Sequence, residues 1–453
     1  MACDAVILAA GLGTRMRSDR PKVLHTLGGI PLLAWAASAS REAAGRPPVV
    51  VVGPGAEADA ARDLLGPETP LATQAERMGT AHALLQAEPS LRGRGDLILV
   101  VNGDMPLLRG ETLREVAEAQ ARHPGPFTLL VLRSSQPRGF GRIVRRQGGG
   151  IQEIVEEAVA TSAQREIDEI NVGVYCFRPE WLWAHLPRVR ISPQGERYLT
   201  DLVGMAAAEG QTVGSILLED ADEAIGINTR EHLAEAEAAL RRRVNRRWML
   251  AGVTLRDPAT AYIGPLAELG VDTVIEPNTI IEGRTVVGPG CRLGPNSILR
   301  DSVLGGNCVV EASILEGAEL EQDVRVGPFS HLRPGARLGR GVHVGNFGEV
   351  KNSTLGPGVR MGHFSYIGDA TVGADVNIGA GTITCNYDGE RKHATEIGEG
   401  AFLGSDTMLV APVRIGRRAR TGAGSVVTRD VPDDSVAVGV PARVIRRKAK
   451  DDD

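Results

Sequence analysis

Between residues 326 and 415 the chain repeats with a period of six, and this constrains its fold more than any other feature. Val326, Leu332, Leu338, Val344 and Val350 stand six apart, and Gly327, Gly339 and Gly345 directly follow three of them. The register slips by one, resumes at Met361 and Ile367, slips again and reaches Ile378. A second series runs Ile397, Leu403, Leu409 and Ile415, with Gly398, Gly404 and Gly416 beside it. Neither a helix (period 3.6) nor an ordinary strand (period 2) produces this spacing. It fits a parallel β-helix, whose coils turn three corners, place small residues at the turns and send one aliphatic side chain per face into a narrow interior. A narrow interior also accounts for an aromatic content of only 4%. Glycine marks the change of architecture, with 25 in residues 1–250 and 31 in the remaining 203. The polar stretch Thr384–Thr395 interrupts the coils, and insertions in repeat folds commonly lie on a binding face.

The first half follows another rule. Ala5–Ala9, Val49–Val52, Leu97–Val101 and Phe127–Leu132 are continuous aliphatic runs, as in strands covered on both faces, and helix-like stretches such as Gly110–Arg122 separate them. This predicts an α/β domain with a parallel or mixed sheet. A long helix, 229–250, has no internal Gly or Pro, carries acids early and arginines late, and joins the halves. The expected organisation is an α/β domain at 1–228, a linker helix at 229–250, a parallel β-helix at 251–440 and a tail at 441–453, with Asp451–Asp453 loose.

Composition excludes several classes. With Lys+Arg 51 and Asp+Glu 56 the net charge is −5, which argues against a nucleic-acid partner. No apolar run reaches the roughly 20 residues of a membrane helix, so no membrane partner is expected. The five cysteines (Cys3, Cys176, Cys291, Cys308, Cys385) form an odd set without CxxC spacing, and they read as free thiols in a cytoplasmic protein.

The first strand runs into Gly11-Leu12-Gly13-Thr14-Arg15-Met16 and then Pro21-Lys22. Glycines let the backbone approach a phosphate closely, and two cations beside such a loop suit a triphosphate. Met16 occupies the third glycine position of the dinucleotide fingerprint, and no Gly-Lys-Ser/Thr is present, so neither common phosphate motif applies. The run LAAGLGTRM…PKVLH resembles the sugar-1-phosphate nucleotidyltransferases. Gln74-Ala75-Glu76, Gly79-Thr80-Ala81-His82-Ala83, Asn102-Gly103-Asp104, Gly139-Phe140-Gly141-Arg142, Glu156-Glu157, Glu169-Ile170-Asn171, Tyr198-Leu199-Thr200-Asp201 and Gly226-Ile227-Asn228 follow in order. Together with the hexapeptides they resemble, over about residues 5–440, the bifunctional N-acetylglucosamine-1-phosphate uridylyltransferase/glucosamine-1-phosphate N-acetyltransferase family.

That resemblance implies a magnesium ion on Asp104 and Asn228, and Arg15 and Lys22 holding the triphosphate and spreading its charge in the transition state. Leu8, Ala9, Ala10 and Gly11 would line the UTP/UDP-sugar site together with Lys22 and Asn228, Gln74, Gly79 and Thr80 would meet the base, and Gly141, Glu156 and Asn171 would hold the sugar. Arg142 reads as a solvated charge. The chain departs from the family at Asn102, where Tyr is usual, at Ala158-Val159-Ala160, where Lys-Asp-Ala is common, and at Val172, where Thr is familiar.

On the β-helix, polar residues appear that the scaffold does not need: Arg333, Lys351, His363, Tyr366, Asn377, Asn386, Tyr387 and Lys392. A histidine titrating near neutrality is a natural base for an amine, and nearby cations suit a sugar phosphate. By resemblance His363 is the general base, and Arg333, Lys351, Tyr366 and Asn377 hold glucosamine-1-phosphate, helped by Lys392. Asn386 orients His363 or the substrate, and Ala380, Asn386, Tyr387, Ser405 and Ala423 contact acetyl-CoA. Ser405 would donate to the tetrahedral oxyanion. Cys385 offers a thiol, but direct attack of the amine on acetyl-CoA needs no acyl-enzyme. Arg443, Arg446 or Arg447 would meet the CoA phosphates. The implied enzyme makes UDP-N-acetylglucosamine, an envelope precursor, as a cytoplasmic homotrimer with small-molecule substrates. The alternative is a sugar-1-phosphate nucleotidyltransferase whose β-helix is structural or regulatory. In that case His363→Ala would change neither activity.

Overall fold

A computed structural model of the protein describes residues 2–447 apart from 136 and 138, so the expected loose tail at Asp451–Asp453 lies outside the described residues. The chain divides into two compact units, residues 1–240 and 241–453, and the division falls inside the helix Arg230–Leu250.

The first unit is built on a mixed sheet. Its order is Gly214–Leu217, Phe127–Arg133, Glu169–Phe177, Leu97–Asn102, Cys3–Leu8, Val49–Val52, Leu71–Thr73, with the hairpin Arg142–Arg145/Ile151–Val155 attached to one side. Cys3–Leu8 pairs in parallel with both Val49–Val52 and Leu97–Asn102, while Glu169–Phe177 runs antiparallel to both its neighbours. The aliphatic runs are buried on both faces because helices such as Leu32–Ala44 and Gly110–Arg122 cover one side and Thr80–Gln86 covers the other. Register places Leu8 opposite Asn102. The loops leaving these two strands therefore emerge side by side at the carboxyl ends of the strands, where open α/β sheets bind ligands.

The second unit is a left-handed parallel β-helix of three parallel sheets, one per side of the coil. Face I runs from Thr254–Leu255 through Arg360–Met361 and Asn377–Ile378, face II from Tyr262–Ile263 through Gly348–Lys351 and Ser365–Gly368, and face III from Glu268–Leu269 to Val413–Ile415. In the two-residue strands of the coil the first residue is the more exposed and the second is buried, as in Arg337–Leu338 and His343–Val344. Every aliphatic of the two sequence series is buried. The register slips are five-residue sides: Leu355 follows Val350 and Val372 follows Ile367 where the corner between faces II and III is one residue shorter. Such shortened sides also occur before residue 326, which hides the period in coils that begin at Thr254.

Small hydroxyls fill the corners, and their buried oxygens donate to carbonyls, as Thr279 does to Glu276 O at 2.7 Å. The tightest corner position has positive φ, usually as Asn or Asp, but Phe329 and Phe347 adopt it with φ near 60° and their exposed rings stack 5.5 Å apart. The stretch Thr384–Thr395 leaves the coil at the corner between faces II and III and folds back on itself through a Tyr387–Lys392 bridge. At the end, Ala442–Arg447 pairs antiparallel with Ser435–Gly439.

Candidate functional site

Two groups of side chains carry chemistry, one in each unit. In the first, the loop after Cys3–Leu8 depends on Gly13. Its φ is +63°, and a Cβ there would lie 2.4 Å from that of Lys22, so only glycine lets the loop close onto Lys22. A Cβ on Gly11 would meet nothing within 4 Å, because that residue faces open space in the cleft. Lys22 Nζ lies 2.5 Å from Asp104 Oδ2 and donates to Asn228 Oδ1 at 3.1 Å, and Arg15 Nη2 reaches the same Asn228 oxygen at 3.0 Å. Asp104 and Asn228 are brought together because Ile227 N donates to Asp104 O.

Leu8, Ala9, Ala10, Gly11, Arg15, Lys22, Gln74, Gly79, Thr80, Asp104 and Asn228 line a single cavity of about 510 Å³. The expected sugar residues Gly141, Glu156 and Asn171 line a smaller one of about 170 Å³. The two cavities share Asn102, Asp104 and Asn228. A group bridging nucleotide and sugar must therefore pass Asp104 and Asn228.

Each lining residue is held. Gly79 has φ +89°, and a Cβ on it would strike the Arg197 backbone at 2.6 Å. Thr80 Oγ1 accepts from Leu199 N at 3.0 Å. Asn171 Nδ2 donates to the Tyr175 hydroxyl at 2.7 Å, and its Oδ1 accepts from Gly173 N. Glu156 is raised above the ordinary carboxylate range by burial, with the Thr200 hydroxyl, 3.0 Å from its Oε1, partly opposing the rise.

A divalent metal fits at Asp104 and Asn228. Two oxygens already converge there on one cation, the Lys22 ammonium, and oxygen donors are what a hard ion takes. Among the described residues no group of three or more His, Cys, Asp or Glu gathers as a metal site. The ion would thus rest on one carboxylate and one amide, with substrate oxygens completing its shell, as magnesium sites commonly do.

Arg142 differs from expectation. It is only 4% exposed, bonds to Phe140 O and pairs with Glu157 at 3.2 Å, because the hairpin folds its guanidinium back under the Gly139–Gly141 turn. Among the departures, Asn102 lines both cavities and donates to Gly173 O at 3.5 Å. Val172 is buried in the core, and Val159 is exposed.

In the β-helix the expected residues fall into three places. At the corner between faces I and II, successive coils place His363, Ala380, Ser405 and Ala423 in one column. The backbone ladder fixes it: Gly381 N donates to Phe364 O, Asp406 N to Ala380 O and Gly424 N to Ser405 O. With coils roughly 4.8 Å apart, three small residues follow the histidine in a straight line parallel to the axis. On face II and its far corner lie Arg333, Lys351, Tyr366, Asn386 and Lys392. Asn377 stands alone on face I, between Arg360 and Phe402.

The face II group is organised by Asp369, to which sequence reasoning gave no role. Its Oδ1 accepts from Asn352 at 2.6 Å and its Oδ2 from Asn386 at 2.5 Å. Burial raises this carboxyl, but the two amides and the charges of Lys392 and Lys351 outweigh it and hold the group below its usual value. Lys351 is lowered chiefly by Lys392 beside it, two ammonium groups sharing one neighbourhood. Arg333 pairs with Glu349 at 2.8 Å. Tyr387 donates to Gly389 O at 2.5 Å, within the turn that Asp388 organises by accepting from Glu390 N and Arg391 N at 2.8 Å. Burial pushes the Cys385 thiol up, the opposite of what a nucleophile needs.

In the first unit, reading the sequence also missed Arg77, which lines the nucleotide cavity, donates to Ala10 O at 2.6 Å and pairs with Glu57 at 2.7 Å. Its place between Gln74 and Gly79 was the available signal.

Residues 5–203 match the MobA-like NTP transferase domain, and residues 394–429 match the bacterial transferase hexapeptide (six repeats). The chain is 47% identical over 435 residues to the bifunctional protein GlmU of Heliobacterium modesticaldum, covering 96% of this chain and 94% of that one. It is 44% identical over 444 residues to the bifunctional protein GlmU of Pelobacter propionicus, covering 98% and 96%. It is 44% identical over 438 residues to that of Trichlorobacter lovleyi, covering 96% and 95%.

Proposed function

From the premise that this chain belongs to the family of bifunctional GlmU proteins, a nucleotidyltransferase and an N-acetyltransferase in one polypeptide that together make UDP-N-acetylglucosamine, we propose how its residues divide the work. Residues 1–228 carry uridylyl transfer, 229–250 connect, and 251–440 carry acetyl transfer, with 441–453 as the tail.

In the β-helix, glucosamine-1-phosphate is held through its phosphate by Arg333 and Lys351, with Lys392 beside them, and through its sugar by Tyr366 and Asn377. His363 takes the proton as the amine nitrogen attacks the acetyl-CoA carbonyl. Ser405 donates to the oxyanion, and the CoA thiolate leaves with no acyl-enzyme. The column of Ala380, Ser405 and Ala423 gives an extended pantetheine arm a track leading to His363. Asn386 and Tyr387, on the insertion at the far corner of face II, supply further contacts to acetyl-CoA.

Asn377 lies on face I and Tyr366 on face II, so one sugar reaches both only if a neighbouring copy brings its face I against face II. This supports a homotrimer with shared acetyl sites, the closed symmetry in which each copy gives one face and takes another.

In the α/β unit, UTP lies in the larger cavity, its base at Gln74, Gly79 and Thr80 and its triphosphate along Leu8–Gly11. N-acetylglucosamine-1-phosphate lies in the smaller cavity on Gly141, Glu156 and Asn171. Asp104 and Asn228 would hold a magnesium ion, which would supply charge neutralisation at the reacting phosphates. Lys22 turns from Asp104 to the triphosphate, and Arg15 neutralises the departing pyrophosphate. A phosphate oxygen of the sugar attacks the α-phosphorus in line, the α–β bridging bond breaks and pyrophosphate leaves. Such a reaction needs positioning and charge more than a protein nucleophile.

The observation that carries this reading is the convergence of Lys22, Arg15, Asp104 and Asn228 at the junction of two cavities. UTP and acetyl-CoA are cytoplasmic metabolites, so we place the enzyme in the cytoplasm. The test is to incubate the protein with glucosamine-1-phosphate, acetyl-CoA, UTP and magnesium, and to read the products by mass spectrometry. UDP-N-acetylglucosamine with free CoA and pyrophosphate is expected. Absence of acetylated product would return the β-helix to a structural role.

A further inference from the structure

Gln74 is 3% exposed yet lines the nucleotide cavity, so the little it shows there decides what it can recognise. A glutamine amide has a two-proton donor at one end and an acceptor at the other, and the two ends have nearly the same shape. Which end faces the ligand is set by what the other end touches. Gln74 Nε2 donates to Gly79 O at 3.1 Å and lies 3.1 Å from His82 Nδ1. Gly79 O can only accept, so the nitrogen points inward and its second proton falls to Nδ1. His82 Nδ1 then serves as the acceptor for that proton. Gln86 Nε2, near the other ring nitrogen, is engaged by the His82 carbonyl at 3.1 Å and so follows the helix backbone. Both donor protons of Gln74 are thus consumed behind the cavity wall. Its Oε1 has no donor among the described residues.

We propose that His82 is a positioning residue that sets which base the nucleotide cavity accepts, by holding the Gln74 amide with its oxygen toward the ligand. A base presenting an N–H at its ring N3, as uracil does, satisfies that oxygen. Cytosine presents a lone pair at the same atom, and two acceptors then face each other with no proton between them. Rejection of this kind, by a polar group left unpaired, discriminates more strongly than a missing apolar contact. His82 itself touches no ligand. It sits half-buried on the helix Thr80–Gln86 and acts through Gln74. The inference rests on the reading of Gln74 as the base contact and adds the reason its amide has one orientation.

The test is the ratio of kcat/KM for UTP to that for CTP, measured in the wild type, in His82→Leu and in His82→Asn with N-acetylglucosamine-1-phosphate as acceptor. Leucine removes the acceptor and leaves Gly79 O alone to orient the amide, so the ratio is expected to fall about tenfold, the worth of one hydrogen bond lost and one mismatch tolerated. Asparagine can place an oxygen where Nδ1 stands, and is expected to restore most of the ratio. A ratio unchanged in His82→Leu, or both nucleotides slowed by the same factor, overturns the proposal, since a merely structural histidine would act on both alike. If instead the wild type uses CTP as well as UTP, the base-reading role of Gln74 fails, and this inference fails with it.

Discussion

The two units solve the same problem, holding a sugar phosphate beside an activated donor, in opposite ways. The α/β unit gathers its site from far-apart segments. Lys22, Asp104 and Asn228 are separated by 82 and 206 residues but meet within hydrogen-bond distance. A sheet whose strand ends lie side by side makes this possible, and all the residues proposed for this site come from one chain. The β-helix strings its residues along a corner at one per coil and leaves Asn377 on another face. A coil touches only the coils above and below it, so a site needing two faces must borrow one. The lesson is that a globular sheet concentrates chemistry inside a chain, whereas a solenoid distributes it and relies on assembly.

The largest expected effect comes from Asp104→Asn. Losing the only carboxylate of the two residues proposed to hold the metal should cut uridylyl transfer by about a thousandfold. Acetyl transfer should stay within about twofold, read from CoA release. Loss of both activities would mean the units are not independent. His363→Ala should lower acetyl transfer at least about a hundredfold with uridylyl transfer intact. An unchanged acetyl rate would remove His363 from the reaction.

Mixing chains sharpens the contrast further. Tyr366→Ala and Asn377→Ala, each inactive in acetyl transfer alone, should regain about a quarter of wild-type sites when co-expressed, because in a cyclic trimer one interface in four pairs two intact faces. Lys22→Ala mixed with Asn228→Ala should regain no uridylyl activity. Recovery there, or none in the β-helix pair, would break the comparison.

The smallest effect concerns Glu156. Burial raises its carboxyl, and the Thr200 bond favours the ionised form and opposes that rise. If the carboxylate is what holds the sugar, affinity is lost as pH falls through this raised value. Thr200→Val raises the group further, so the acid rise in KM for N-acetylglucosamine-1-phosphate should begin at higher pH than in the wild type. A profile that stays in place would show that Glu156 does not bind as the anion.

Much of this was legible in the chain. Six-residue periodicity predicts the coils because an inward aliphatic per face is a local requirement, met wherever the residue type recurs. The Gly11–Met16 loop and Lys22 were readable for a similar reason: a phosphate cradle needs glycine and cation within one short segment, and Gly13 proves indispensable where its backbone meets Lys22. Before residue 326 the six-residue period itself is hidden, because five-residue sides break the count without breaking the geometry.

What only the tertiary structure decided concerns partners distant along the chain. Asp369 reads as one more corner aspartate until Asn352 and Asn386 arrive from the adjacent coil and the insertion. Arg142 looked solvated because its Glu157 partner lies across a hairpin turn. The orientation of the Gln74 amide depends on a histidine that spacing alone could not aim. Sequence determined the two architectures and the residue types that carry charge, because backbone conformation and burial are set by near neighbours. Structure decided which of those charges face one another, because Coulomb and hydrogen-bond energies depend on distances that only the folded chain defines.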